Sequence, residues 1–431
     1  MKRVSKHGWP KLIVLLAALG CAGSWASSQI RSMRDRAEVA TMTEKKKTIC
    51  VGRFLVDVPA QALLSLRLEM MDGFEIETVE ESEAAFRERM AAREADIAAR
   101  GSATDGSGGL VAVHELRIPG MIGKTLVYGL NRGYYMSRER RVDDEFVSVE
   151  AHAHISGLSY LLSAHYADAD GARTKQVEAL LERLRPRGKD EVPLVPGFCI
   201  GRAVFAEPLP QHKTEHIVMH IGLPDHPDLG ITFVSTPGGR SGSGLLARVA
   251  DTDAEASVDE MLRVSKLREG KRSINGFAGE ENLERVREPN FATTFGFTWE
   301  TRGVENDPLH PFLSLELHAG ISPRPGGKPA DSSLHEDAVL ALWDSISSSI
   351  RLRKSGSSSA SAVRQEAHQP VAMAEGAGLR GETETGTRYG ELERRQFPGS
   401  GASDIRRVDY QGKFNHESIP LLAHHSIDKL K

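Results

Sequence analysis

Aromatic residues make up only 6% of this 431-residue chain, which holds just three cysteines. With aromatics sparse, any core must be built mainly from aliphatic side chains, and a hydrophobic content of 40% is enough for one. An excess of either charge is also missing, since 55 Lys and Arg stand against 59 Asp and Glu for a formal net charge of −4. That balance makes no field able to hold a polyanion, so nucleic acid is excluded as a partner. The apolar run Leu12–Leu19 falls well short of the roughly 20 residues that a membrane-spanning helix needs. The sequence pattern contains no dinucleotide loop, no Cys/His cluster at metal spacing and no triad. These absences favour a binding protein over an enzyme, and no catalytic, metal or cofactor-binding residue is assigned. No cofactor is expected.

What the N-terminus does contain is the order of a secretory signal. Lys2, Arg3, Lys6 and Lys11 precede the apolar run, and Gly20, Ala22, Gly23, Ser24 and Ala26 follow it. Residues 1–28 therefore read as a signal peptide or membrane anchor outside the fold, with three fates open. Ser24-Trp25-Ala26 suits cleavage after Ala26. Leu19-Gly20-Cys21 resembles a lipoprotein signal, and the segment could also stay uncleaved as a tether. Each fate exports the chain, soluble or anchored. Export leaves Cys50 and Cys199 as an even pair in an oxidising compartment. They are either disulfide partners or two buried strand residues that never meet.

Two phrases occur twice. Cys50-Val-Gly-Arg53 returns as Cys199-Ile-Gly-Arg202, and Phe146–Ser156 returns as Phe312–Ser322 with aliphatic exchanges. The second copies lie 149 and 166 residues downstream, a drift that loop insertions would give. The repetition sets the domain count at two, 45–188 and 192–353. In the first, strands are expected at 49–58, 74–79, 110–118, 124–130 and 145–156, with helices at 81–99 and 171–184. In the second, strands are expected at 198–205, 217–221, 229–235, 291–300 and 312–318. Its helices are expected at 254–268 and from Ser333, where Glu336 three residues on suggests a capping box. The fold class is α+β: two tandem similar domains, each a mostly antiparallel sheet with helices. Residues 355–431 open on Ser355-Gly-Ser-Ser-Ser and lack any apolar period, so they read as a disordered tail.

A few residues invite chemistry. Glu150, His152 and His154 share one face of a strand, as do Glu316 and His318, because side chains at i and i+2 point the same way. A metal or small ligand on His152 and His154 is one alternative function, but Gly320 stands at the place matching His154. Gly238-Gly-Arg-Ser241-Gly-Ser243-Gly244 meets neither the nucleophile-elbow nor the phosphate-loop pattern. A serine hydrolase using Ser241 or Ser243 is the more distant alternative. Arg53 and Arg202 occupy equal places and suggest intradomain ion pairs with Glu150 and Glu316.

Five phrases stand in order along residues 45–353: Cys50–Pro59, Phe198–Arg202, Gly279-Glu280-Glu281, the Asp307-Pro-Leu stretch and Ala341-Leu-Trp-Asp-Ser-Ile346. On these features the chain resembles the immunity proteins that protect Gram-negative bacteria from type VI secreted lipase effectors. The resemblance implies a periplasmic inhibitor without catalysis, whose two domains grip a phospholipase effector and hold its lid so that substrate cannot enter. The effector-contact residues are unknown from sequence; the loops 101–109, 236–244 and 320–332 are the candidates.

Overall fold

The computed structural model describes residues 9–353 except 104–108, 138–139, 209–213, 240–241, 306 and 323–325, so the stretch 355–431 lies outside the described residues. A long helix α1 (Trp9–Glu44) leads into a hairpin of β1 (Lys46–Val51) and β2 (Phe54–Pro59). Strands β3 (Leu63–Met71) and β4 (Phe74–Glu80) follow, then α2 (Glu83–Ala103). Strands β5 (Leu110–Glu115), β6 (Ile122–Ser137), β7 (Arg140–Ile155) and β8 (Leu158–Asp168) precede α3 (Ala172–Leu181) and β9 (Leu184–Pro186). The second half has the same order. It opens on the hairpin β10 (Gly197–Ile200) and β11 (Ala203–Ala206), then β12 (Glu215–Leu223) and β13 (His226–Thr236). Helices α4 (Leu245–Glu255) and α5 (Val258–Arg263) are followed by β14 (Val264–Ile274), β15 (Phe277–Arg287), β16 (Thr293–Thr301) and β17 (Phe312–Ala319). The half closes with α6 (Glu336–Ser347) and β18 (Arg351–Leu352).

The main sheet has twelve strands, ordered β14-β15-β16-β17-β13-β12-β3-β4-β8-β7-β6-β5. Outward from its centre, each half contributes its strands in the same sequence: first, second, sixth, fifth, fourth, third. The halves meet where β12 runs antiparallel to β3, with His220 opposite Ser65 and Ile221 opposite Leu64. Along β12 the alternation is regular. Ile217, Met219 and Ile221 are buried, while His216, Val218 and His220 are only half-buried. The dry face packs with Val177 and Leu180 of α3 and with Ala338, Leu342 and Ile346 of α6 in one hydrophobic cluster that spans both halves. Each such aliphatic side chain, fully buried, contributes about 1.5–3 kcal/mol.

The two small hairpins lie against each other, and each half finishes the other. Exit strand β9 of the first half pairs with β11 of the second, and β18 of the second pairs with β2 of the first. Gly52 and Cys199 exchange backbone hydrogen bonds at 2.8 and 2.9 Å, and Cys50 is disulfide-bonded to Cys199 with a Cα–Cα distance of 5.9 Å. Arg187 and Arg353, which follow the exit strands, donate their backbone N–H to Arg202 and Arg53 respectively, both at 2.9 Å. Their guanidinium groups then tie down backbone carbonyls of the hairpins and linker, those of Cys50 and Ile200 for Arg187 and of Pro193 and Gly197 for Arg353.

The structure changes several of the sequence expectations. The longer echoed phrase falls on strands with different places in the connectivity: Phe146 begins its copy on β7, the fifth strand of its half, and Phe312 on β17, the sixth. The phrase alternates apolar and polar residues, a pattern that suits an inner strand at either place. The helix expected over 254–268 ends at Arg263, and β14 takes over from Val264. Ser333 does not cap α6. Its backbone N–H donates to Asp228 and its hydroxyl bonds His226, and the cap residue is His335. The packed part of the chain also begins before residue 45. From Ser28 onward α1 lies against the second half: Val39 and Met42 are buried, and the buried Asp35 carboxylate accepts the His335 N–H at 3.0 Å. Arg31 reaches the Ser332 carbonyl and Ser32 donates to Asp337. Among the described residues no helix is long and apolar enough to cross a membrane.

Candidate partner-binding cleft

Helices flank the wet face of the sheet at both ends and leave its middle open. On one side α2 covers the outer strands. Arg93 donates to both oxygens of Glu150 at 2.6 and 3.0 Å, and Phe86 stacks on His154 with ring centroids 5.3 Å apart. On the other side α4 sits over β15 and β16, with Arg248 donating to Glu300 at 2.7 Å and Leu246 N–H to Glu280 at 3.0 Å. Between them lie β3, β4, β8, β12, β13 and β17.

The floor of this cleft can be read along the sheet register. One row runs Ser65, His220, Thr232, Glu316, Thr298. The next runs Gly222, Gly230, His318, Gly296, a trough where glycines on β12 and β13 and on β16 flank the single His318 side chain of β17. A Cβ at Gly222 would meet nothing within 4 Å, so neither backbone shape nor packing demands glycine there. A third row, His216, Met70, Glu75, Ser163, leads towards Glu150 beneath α2. His220 bonds Thr232 at 3.0 Å, and His318 lies 3.8 Å from Glu316. Burial holds His216 and His220 below the ordinary histidine range, and Arg67 pushes His220 the same way. The floor is a mixed polar surface with close access to backbone, suited to another protein's surface.

Two side chains at the bulges of the central strands escaped the sequence reading. Leu68 (φ 49°) and Tyr166 (φ 57°) both sit in left-handed backbone and are 40% and 61% exposed. Bulky residues pay about 1–3 kcal/mol for that conformation, and register shifts in the β12–β3 and β7–β8 pairings mark the bulges that hold them. No sequence pattern announces positive φ at a leucine or a tyrosine.

The sequence candidates are placed as follows. His152 bonds Glu150 at 3.1 Å, while His154 bonds Ser159 at 2.9 Å and stacks on Phe86, so the two rings serve separate partners. No group of three metal-binding side chains occurs among the described residues. Burial opposes ionisation of Glu150, but hydrogen bonds from His152, Arg93 and Tyr128 prevail and hold its carboxyl far below the usual range. Neither arginine pairs as expected. Arg53 reaches across to Glu215 and Glu207 of the second half, and Arg202 reaches back to Glu80 of the first. Ser241 lies outside the described residues, and no histidine lines the cavity beside Ser243. Loops 236–244 and 320–332 leave opposite ends of the paired strands β13 and β17, so they do not form one patch. Part of loop 101–109 and part of 320–332 lie outside the described residues.

Two family models match the chain. Residues 47–187 match the N-terminal domain of Tle cognate immunity protein 4, and residues 191–355 match its C-terminal domain. The chain belongs to the Tle cognate immunity protein 4 family. Among solved structures, the Tle4–Tli4 complex contains a chain 24% identical to this one, with a TM-score of 0.60, covering 72% of this chain and 98% of that one. The immunity protein TplEi of the Pseudomonas aeruginosa T6SS, complexed with an "L" peptide, gives 23% identity and a TM-score of 0.57 over 72% of this chain and 98% of its own. Its apo form gives 24% and 0.58 over 72% and 97%. At these identities the likeness speaks for a shared fold of two sheet-rich domains. A comparison with curated proteins found no match.

Proposed function

We propose that this protein is a periplasmic immunity protein that binds a type VI secreted phospholipase effector and inhibits it by holding its lid and blocking substrate access. The observation that carries the reading is an open sheet face framed by α2 on one side and α4 on the other, in a chain of an immunity family. A face of this kind, joined rigidly through β3 and β12, presents both halves to one partner at once. A dedicated inhibitor needs an interface of about 1,600 Å² or more, and six neighbouring strands offer that scale. The signal-like N-terminus and the Cys50–Cys199 bond suit an oxidising, exported location.

The test is protection. Cells lacking this gene should die when a phospholipase effector encoded beside it reaches the periplasm, and the exported protein should rescue them. Purified protein should abolish the effector's lipase activity at one-to-one stoichiometry. Rescue by a form confined to the cytoplasm, or undiminished lipase activity in a saturated mixture, would defeat the proposal.

A further inference from the structure

One end of the α4 wall holds a cavity of about 500 Å³, lined by the start of α4, the β14–β15 hairpin and the end of β16. Its charges do not cancel. Glu280 is consumed inside the wall, where it caps the N-terminus of α4 by accepting the Leu246 N–H at 3.0 Å. Gly244 makes this possible, because a Cβ there would lie 2.5 Å from a Glu280 oxygen. Glu300 is likewise consumed by Arg248, at 2.7 Å. Arg272 is paired with Glu281, which leaves Lys271, opposite Glu280 in the β14–β15 ladder, and Arg302 as two cations against that one carboxylate. Among the described residues, Arg302 meets only the Gly242 carbonyl, at 2.6 Å, and Lys271 forms no ion pair. The cavity is therefore a small basic socket whose own carboxylates are already engaged.

Resting on the reading that this chain binds a protein effector, we infer that the socket receives an acidic segment of that partner, its carboxylates paired with Lys271 and Arg302. The volume admits a short stretch of chain and is within the roughly 300–1,000 Å³ of ordinary binding pockets. Because the helix terminus is already capped, recognition runs through the two side chains. The socket lies at the wall of the cleft, so the acidic segment would register the partner along the sheet. Such charge matching tunes encounter rate and partner choice more than total affinity.

The test uses fluorescein-labelled hexaglutamate and hexalysine peptides, read by anisotropy at low salt with the full-length protein. Hexaglutamate should bind, and hexalysine should not. The Lys271→Glu/Arg302→Glu variant should bind hexaglutamate at least tenfold more weakly, and Lys271→Gln/Arg302→Gln by an intermediate factor, with unchanged circular dichroism and melting. Equal binding by wild type and both variants overturns the inference, as does displacement of the peptide by equimolar inorganic phosphate. Effector binding is measured alongside. A wild type that binds hexaglutamate through these residues but no effector would sink the immunity reading and leave the socket standing. A wild type that binds effector while both variants bind it with unchanged rate and affinity would sink the socket alone.

Discussion

The guanidinium of Arg53 donates two hydrogen bonds to the carboxylate of Glu215, at 2.6 and 2.7 Å, across the boundary between the halves. Both residues are almost fully buried, at 8% and 5% exposure. Burial opposes the charge on Arg53, but Glu215 and then Glu207 outweigh it and raise its pKa above the ordinary arginine value.

Removing one partner should therefore be severe. Arg53→Ala strands a buried carboxylate and is expected to cost about 3–5 kcal/mol. Replacing both, as Arg53→Met with Glu215→Leu, should cost distinctly less. Arg202 holds the equivalent position but pairs with a Glu80 side chain that is 74% exposed, so Arg202→Ala should cost no more than about 1 kcal/mol. Urea unfolding of the variants checks the ranking, and similar losses at Arg53 and Arg202 would contradict it.

The disulfide closes a separation of 149 residues. In the loop-entropy view a ring of that size stabilises by about 5 kcal/mol, less any native strain. Cys50→Ala/Cys199→Ala should lower the denaturation midpoint by an amount matching about 3–5 kcal/mol, and reductant should do the same to the wild type. A reductant-insensitive midpoint would show the bond to be inconsequential.

Acidity should act through Glu69 and Glu150 with opposite sign. Burial pushes the Glu69 carboxyl up to about 7 from 4.5, against the Gly201 N–H and Arg187, which favour the anion. The folded state keeps that proton longer than the unfolded chain. The resulting stability is full below about pH 4.5 and is lost as pH rises towards 7. Glu69→Gln keeps an acceptor for Gly201 and should remove that decline, measured as unfolding free energy at pH 5 and pH 8. Glu150, held low by its three donors, contributes stability that disappears as pH falls below its unfolded value of 4.5. Glu150→Gln should flatten the acid limb.

The docked part of α1 should be worth measurable stability. Asp35→Ala removes the acceptor for the His335 N–H at the start of α6, where His335 makes no side-chain cap of its own. Losing a helix cap costs about 0.5–2 kcal/mol. A truncation starting at residue 45 should lose more, because Val39 and Met42 leave with it. Thermal melts of the two forms decide. An unchanged melt for the truncation would mean the helix is a passenger.

Much of the plan was legible in the sequence because it is written in short-range patterns. Leu334, Ala338, Leu342, Ile346 and Ile350 recur every four residues, the spacing of one helix face, and all lie buried in the core. The equal setting of Cys50 and Cys199 left open whether they meet; the hairpins that carry them lie side by side. Long-range pairing was not legible. Arg53 reads as a partner for a carboxylate of its own half, yet the closest acid in space starts β12 of the other half. Leu184-Arg185 and Leu352-Arg353 look alike in the sequence, but the ladders set Arg185 and Arg351 in equivalent places, opposite Val204 and Leu55. A slip of that kind is invisible without the partner strand, since only the ladder fixes which residue faces which. The cleft was hidden for the same reason: its floor gathers Ser65, His220, Thr232 and Glu316 from four strands that sequence alone cannot put in a row.

Because β9 is lodged in the second hairpin and β18 in the first, the molecule is laced like two clasped hands. A chain cut in the linker at 188–196 would yield fragments each missing an edge that only the other supplies. Made together, they should reassemble into a working whole; made singly, each should be insoluble.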